Sequence, residues 1–116
     1  MTASDCLFCR ILEGEIPADV IYESDSALAF RDINPQAPTH VLIIPRRHIT
    51  TINDLDAGDA ELVGSLFVAA KEVARQEGLA DDGYRTVMNC GEEAGQSVFH
   101  IHLHLLGGRL FNWPPG

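Results

Sequence analysis

The chain has few of the features that mark secreted or membrane-spanning proteins. It contains only three cysteines in 116 residues, too few for the disulfide framework of a small secreted domain. No run of 18 apolar residues is present, although a membrane-spanning helix requires about that length. The first residues lack the basic and apolar regions of a signal peptide. We therefore expect a cytoplasmic protein with no membrane partner.

Positively charged residues are also scarce. The sequence has 8 Lys and Arg against 17 Asp and Glu, which gives a net charge of −9. Because extended contact with a nucleic-acid backbone needs clustered cations, this composition argues against a nucleic-acid partner. It does not exclude a small anion, since backbone N–H groups and polar side chains can hold one phosphate in an acidic protein.

The order of predicted elements favours an α+β fold in one domain spanning residues 1–116. Hydrophobic patterns predict strands over residues 20–23, 27–31, 40–44 and 84–89, with a proline-containing loop over 32–39. A short helix is predicted over Leu7–Leu12. A long helix is predicted to begin near Asp56–Asp59 and to end by Gly78. Its core-facing positions are Leu62, Val63, Leu66, Phe67, Ala70, Val73 and Ala74.

Three histidines alternate with apolar residues along Val98–Leu106, which would be a fifth strand of the antiparallel sheet. The period of two would place His100, His102 and His104 on one face, about 6.5–7 Å apart. The other face would carry Phe99, Ile101, Leu103 and Leu105 toward a core. Taken alone, such a row of histidines is compatible with a solvated surface, with part of a zinc site or with a phosphate site.

The residues before this strand favour the phosphate site. Gly95-Gln96-Ser97 supplies adjacent backbone N–H donors, a side-chain amide and a hydroxyl, which are suitable partners for phosphate oxygens. Beside such donors, a neutral imidazole is a competent nucleophile.

Four separated motifs resemble the histidine-triad superfamily of nucleotide hydrolases and transferases. They are Gly95-Gln-Ser-Val98 with the alternating histidines, Phe30–His40, Val41–Pro45 and Trp113–Gly116. Their order and spacing are similar to those of the histidine-triad nucleotide-binding branch, which consists of purine-nucleotide phosphoramidases. The resemblance covers nearly the whole chain.

The resemblance implies hydrolysis of purine nucleoside 5′-phosphoramidates and acyl-nucleotides, with an AMP- or GMP-type substrate. His102 would attack phosphorus and form a nucleotidyl-histidine intermediate, and catalysis would need no cofactor. His40 would relay a proton, and Ser97 would lie near the leaving group. The phosphate charge would be stabilised by His104, Asn89, Gln96 and Ser97.

The nucleoside would be held by a second set of residues. By resemblance, Asp32 would accept the ribose hydroxyls, and the base would lie in an apolar slot formed by Phe8, Ile11, Ile16, Ile33 and Leu42. The residues alone leave other roles open, because Asp32 is also typical of a turn, Asn89 of a strand end and His40 of a buried structural position. The apolar residues would belong to a core in almost any fold.

The Cys6-x-x-Cys9 pair has the spacing of half a zinc site. Similar proteins of the superfamily imply a structural zinc on Cys6, Cys9, His48 and His100. The alternative is a pair of small buried residues on a short helix.

The resemblance further implies a homodimer whose sheets join edge to edge, with Leu110–Gly116 reaching toward the partner's site. Packing of Trp113 on its own domain is the alternative. Two other functions remain open at this level. One is hydrolysis of dinucleoside polyphosphates, as in a related histidine-triad branch, although the Trp-Pro-Pro-Gly ending favours the phosphoramidase. The other is a nucleotide-binding adaptor that needs no turnover.

Overall fold

A five-stranded antiparallel sheet forms the centre of the structure, a computed structural model that describes residues 5–116. The elements in chain order are α1 (Leu7–Leu12), β1 (Val20–Glu23), β2 (Ala27–Arg31), β3 (Thr39–Pro45), α2 (Ala60–Gln76), β4 (Tyr84–Val87) and β5 (Leu103–Gly107). The strand order is β1-β2-β3-β5-β4, and every neighbouring pair is antiparallel. The predicted α+β fold is therefore confirmed.

Among residues 5–116, no helix is both long enough and apolar enough to cross a bilayer. The expectation that the chain has no signal peptide rests largely on residues 1–4, which lie outside the described residues.

The alternation of side chains divides the sheet into two faces. One face packs under α2 and holds the larger core, which includes Ala27, Ala29, Val41, Ile43, Leu66, Val73, Ile101, Leu103 and Leu105. The other face packs under α1 and holds Cys6, Phe8, Cys9, Leu28, Phe30, Leu42 and Ile44. Because side chains alternate between the two faces along the whole of each strand, the second face also carries His40 on β3 and His104 on β5.

Helix α2 begins slightly later than predicted. The Asp56 side chain accepts a hydrogen bond from the Gly58 backbone N–H and caps a 3₁₀ turn, Ala57–Asp59, that leads into the helix. The chain leaves the helix at Gly78, whose positive φ of 76° suits glycine. Leu66 and Val73 are fully buried, as predicted, and each contributes about 1.5–3 kcal/mol by burial. Phe67 was expected in the core, but it is 49% exposed on the outer side of α2.

The strand containing the histidines is shorter than predicted. Only Leu103–Gly107 pairs within the sheet, so His100 and His102 lie in an irregular segment before β5. The backbone of this segment forms hydrogen bonds outside the sheet; for example, the Ile101 N–H donates to the Ile49 carbonyl at 2.8 Å. Phe99, which was expected on the core face, is 40% exposed, because the chain does not keep strand geometry at that position.

The bounds of two other strands also differ. β3 covers Thr39–Pro45 instead of 40–44, and β4 ends at Val87 instead of residue 89. β4 pairs with β5 on one side only among the described residues, which makes it an edge strand.

Candidate active site

A cavity of about 600 Å³ opens on the sheet face under α1, a volume within the usual range for small-molecule sites. The predicted residues Phe8, Ile11, Ile16 and Leu42 line its apolar end. Ile33 also lines the cavity, but its side chain is fully exposed and stands at the rim. The polar end is lined by Asp32, Ser97, His102 and His104. We call this cavity the slot.

His102 is held as a neutral imidazole with one free lone pair. Its Nδ1 lies 2.8 Å from the His100 carbonyl oxygen, and a carbonyl can only accept, so Nδ1 carries the proton. The remaining nitrogen, Nε2, therefore has the lone pair. The Phe8 ring stands edge-on to the imidazole, with centroids 5.1 Å apart and planes at 85°. His102 is 6% exposed and lines the slot.

A chain of hydrogen bonds fixes the proton on His104. The Gln36 backbone N–H donates to His40 Nδ1 at 3.0 Å, so the proton of His40 is on Nε2. That N–H lies 2.9 Å from His104 Nδ1, which accepts it. His104 must then carry its own proton on Nε2, the nitrogen that remains available to a ligand.

Asp32 closes a turn and also lines the slot. One carboxylate oxygen accepts the Asn34 backbone N–H at 2.8 Å and closes a turn. The other oxygen lies 3.4 Å from His40 Nε2. The same carboxylate also lines the slot.

Burial keeps these imidazoles uncharged near neutral pH. It lowers the pKa of His102 and of His40, while the Asp32 carboxylate opposes the shift in both. Burial, followed by the positive charge that His102 or His40 would carry, lowers the pKa of His104 to about 4. The polar end of the slot therefore combines a neutral imidazole that has a free lone pair with a neutral N–H donor.

The loop before the histidines is held by Gln96. Its side-chain N–H groups donate to the Thr50 and Val98 carbonyls, and its oxygen accepts the Gly91 N–H. Its backbone N–H donates to the Gly91 carbonyl. These internal partners occupy both Gln96 groups that were expected to contact phosphate. Gln96 does not line the slot, and neither does Asn89; the Asn89 amide lies beside Gly95 instead.

Behind the slot, two thiols and two imidazoles converge in what we call the Cys/His cluster, formed by Cys6, Cys9, His48 and His100. Their ligand atoms all lie within 4.8 Å of one another. Cys6 Sγ is 3.3 Å from His100 Nδ1, and Cys9 Sγ is 3.4 Å from His48 Nδ1. The four predicted zinc ligands, which are separated by up to 94 positions in sequence, are thus brought together.

Sequence reasoning missed several residues of the slot, among them Phe30 and Val98. Phe30 packs edge-on against Phe8, with ring centroids 5.5 Å apart. A signal for it was available, because Phe30 lies two positions before Asp32, which directly follows β2, and alternation puts residues two apart on the same side of the chain. Val98 offered no comparable signal, since the segment around it departs from strand geometry.

Comparison with known proteins gives consistent matches along the chain. The HIT domain family matches residues 13–110. A purine nucleoside phosphoramidase of Escherichia coli K12 is 50% identical over 107 residues, which cover 92% of this chain and 90% of that protein. An uncharacterised HIT-like protein of Synechococcus elongatus is 50% identical over 114 residues, covering 98% of this chain and 99% of that one. The crystal structure of a HIT family hydrolase from Legionella pneumophila superposes with a TM-score of 0.93 and 58% identity, covering 96% of this chain and 99% of the other.

Proposed function

This chain belongs to the HIT domain family, and on that premise we propose that it is a cytoplasmic hydrolase of purine nucleoside 5′-phosphoramidates and related acyl-nucleotides such as aminoacyl-adenylates. The observation that carries the proposal is the His102 imidazole, which is neutral, oriented by the His100 carbonyl and placed at the polar end of the slot. The phosphoramidase from E. coli, which is 50% identical to this chain, supports the substrate class.

The reaction proceeds in two displacements. His102 Nε2 donates its lone pair to phosphorus, the bond from phosphorus to the leaving amine breaks, and the amine takes up a proton from solvent. Water then attacks the nucleotidyl-imidazole and loses a proton to solvent, which releases the nucleoside monophosphate and restores the neutral ring. Dividing the displacement in this way is the usual advantage of covalent catalysis. No step requires a metal or an organic cofactor.

The remaining polar groups stabilise charge and move protons. The His104 Nε2–H is preformed as a donor for a phosphoryl oxygen, as transition-state stabilisation requires. The Ser97 hydroxyl, at the wall of the slot, faces the leaving group. His40 supplies the proton relay behind His104. The Ser97 backbone completes the donor set, and Gln96 supports it by holding the loop.

The test of this function is a comparison of two substrates. We expect the protein to hydrolyse an adenosine 5′-phosphoramidate with a kcat/KM at least about 100-fold above that for diadenosine triphosphate. This ratio corresponds to a difference of about 2.7 kcal/mol in transition-state stabilisation. The reverse preference would support the polyphosphate hydrolase instead. Failure to turn over either substrate would favour the nucleotide-binding adaptor.

Asp32 is expected to select ribonucleosides. Its carboxylate lines the slot and would accept the two ribose hydroxyls, and hydrogen bonds to a charged group contribute about 1.5–3 kcal/mol. For Asp32→Asn, we expect kcat/KM for the ribonucleoside phosphoramidate to fall about 10- to 100-fold. The 2′-deoxy substrate should lose much less. An equal loss for both substrates would assign Asp32 to the turn and to His40 instead of the ribose.

The Cys/His cluster fits a structural zinc ion. Zinc bonds of 2.0–2.3 Å separate tetrahedral sulfur and nitrogen ligands by about 3.3–3.8 Å, and the Cys6–His100 and Cys9–His48 distances of 3.3 and 3.4 Å lie in this range. His100 also donates from Nε2 to the Pro45 carbonyl at 2.9 Å, the outer contact that orients metal-bound imidazoles. Burial and the neighbouring Cys6 raise the pKa of the Cys9 thiol to about 11, a shift that a bound cation reverses.

We propose that zinc is held by Cys6, Cys9, His48 and His100. With four protein ligands it would have no open coordination position, so its contribution is structural.

We propose that the homodimer forms by joining the two sheets along the β4 edge. The C-terminal segment lies beside that edge, because Arg85 donates to the Asn112 carbonyl at 3.0 Å. The same segment exposes Leu110 and Trp113, at 88% and 80%. A native mass near twice 12.7 kDa would support the dimer.

A further inference from the structure

We propose that the Cys/His cluster positions the catalytic histidine, so that occupancy of the cluster by a metal ion sets turnover as well as stability. The inference rests on the proposed function and concerns how a metal ion would regulate the same site. Three contacts connect the cluster to the reacting atoms.

The first contact runs through His100, which belongs to both sites at once. Its side chain is fully buried, with Nδ1 3.3 Å from Cys6 Sγ and Nε2 donating to Pro45. Its backbone carbonyl accepts the Nδ1 proton of His102 at 2.8 Å. The residue that would bind the metal through its ring therefore fixes the tautomer of the nucleophile through its main chain. A metal that fixes the His100 ring would therefore restrict the backbone that carries this carbonyl.

The second contact runs through α1. This helix has only six residues, far fewer than an isolated helix needs for stability in water, so its position depends on anchors outside it. Cys6 caps its N-terminus by accepting the Cys9 N–H at 3.4 Å, and both sulfurs belong to the cluster. Phe8 lies between the two cysteines, and its ring packs on His102. The cluster thereby fixes one wall of the slot and one neighbour of the nucleophile.

The third contact joins the segment that carries the nucleophile to the chain after His48. The Ile101 N–H donates to the Ile49 carbonyl at 2.8 Å, and the His48 and His100 rings stand edge-on to each other, with centroids 5.0 Å apart and planes at 87°. Since His102 lies before β5, the sheet does not hold it directly. Joining His48 to His100 through a metal would fix this segment from the side opposite the slot.

A purely structural cluster makes a different prediction from a positioning cluster. If the cluster only stabilised the fold, the metal-free protein would melt earlier, but its folded molecules would retain full turnover. If it positions His102, folded metal-free protein would have a reduced kcat. Changes to groups that orient metal ligands typically cost about 10- to 100-fold in activity or affinity, and we expect a loss of this size in kcat.

The experiment begins with the full chain purified under a thiol reductant, in which we expect about one zinc ion per chain by elemental analysis. A chelator then removes the metal, circular dichroism at low temperature selects conditions where the protein stays folded, and kcat for adenosine phosphoramidate is measured. Nitrogen-15 NMR of the His102 Nδ1–H provides a readout independent of activity. We expect a slowly exchanging signal with zinc and a broadened one without it, and readdition of zinc should restore both signal and kcat.

Three variants make the test specific. Cys9→Ser should lose the metal together with the kcat and the Nδ1–H signal. His48→Cys keeps a zinc-binding atom at this position and should keep more of the metal, the kcat and the Nδ1–H signal than Cys9→Ser does. Cys90→Ser is the matched control, because this cysteine is free and lies outside the cluster, so it should leave metal content and kcat unchanged.

Two results would overturn the proposal. One is a purified protein that binds no zinc even when zinc is supplied. The other is folded metal-free protein whose kcat and Nδ1–H signal match those of the zinc-bound form. Failure of the proposed function can be distinguished from these results, because zinc-bound protein would then turn over no phosphoramidate. The NMR signal of the His102 Nδ1–H would still show whether the metal fixes His102.

Discussion

His102→Ala is expected to reduce kcat for an adenosine phosphoramidate by about 10⁴-fold or more, the loss typical of removing a catalytic nucleophile. The neutral ring at this position is the one whose free Nε2 lies at the polar end of the slot. Stopped-flow or endpoint assays with a fluorogenic leaving amine would measure the change. Mass spectrometry of wild-type protein quenched in its first turnovers should show a nucleotidyl adduct on this histidine.

The matched measurement for His102→Ala is binding of AMP, which should change by less than about 10-fold. The apolar wall of the slot remains, and only one of its polar contacts is removed. His102→Gly offers a second check, because free imidazole that enters the vacated space should recover part of the turnover as an external nucleophile. An adduct on a different residue, or near-normal turnover by the Ala variant, would contradict the assignment.

The catalytic face of the sheet was predictable from alternation alone. On β3, period two puts His40 and Leu42 on one side, and on β5 it puts His104 on the same side, paired with Leu42. The family resemblance then indicated which of these residues would carry chemistry. Strands with one buried face strongly specify their register, and β5 keeps the predicted alternation from Leu103 onward.

The conformation around His100 and His102 was not predictable in the same way. The alternating pattern is typical of a strand, but these two residues lie before β5, where the His102 side chain donates to the backbone two residues earlier. Such local bonds compete with sheet ladders, and nothing in the spacing reveals which one prevails. The ring centroids of His102 and His104 are consequently 5.0 Å apart, closer than the spacing predicted for a regular strand.

Gln96 is a second residue whose role was not predictable from the local sequence. An amide beside glycine and serine is a plausible phosphate ligand, yet the structure commits it to Gly91, Thr50 and Val98. The Thr50 partner lies 46 positions away in sequence. A residue's tertiary partners decide between binding a ligand and holding a loop, and those partners are not visible in a local motif.

His104 carries the second large expected effect. Replacing it with Ala removes a preformed donor to the phosphoryl group, and losing one such donor typically costs about 10²- to 10³-fold in kcat. The loss should fall on kcat with little change in KM, since the donor acts mainly on charge that develops in the transition state. Single-turnover kinetics would locate the effect in formation of the nucleotidyl-histidine.

Gln36 and His40 make the His104 prediction more specific. Because the Gln36 N–H fixes the His40 tautomer and His40 fixes that of His104, a His40 variant should weaken the same step without removing the donor itself. His40→Gln, whose amide N–H can still donate toward His104, should therefore retain more activity than His40→Leu. Equal losses in the two variants would mean that His40 acts by packing and not by orienting the proton.

The acid dependence of stability gives an independent check on His104. Its pKa is about 4 in the folded protein against about 6.5 in an unfolded chain, so the unfolded state binds more protons between these values. The free energy of unfolding must then fall as pH drops from about 6.5 to 4, by at most about 1.4 kcal/mol per pH unit for one titrating group. Because His104 is partly exposed, solvent screening makes the total loss smaller than this limit over the whole range. Denaturant unfolding of His104→Gln should show a shallower decline over this range, because Gln does not titrate. A slope identical to that of the wild type would mean that His104 does not carry the depressed pKa on which its role as a neutral donor depends.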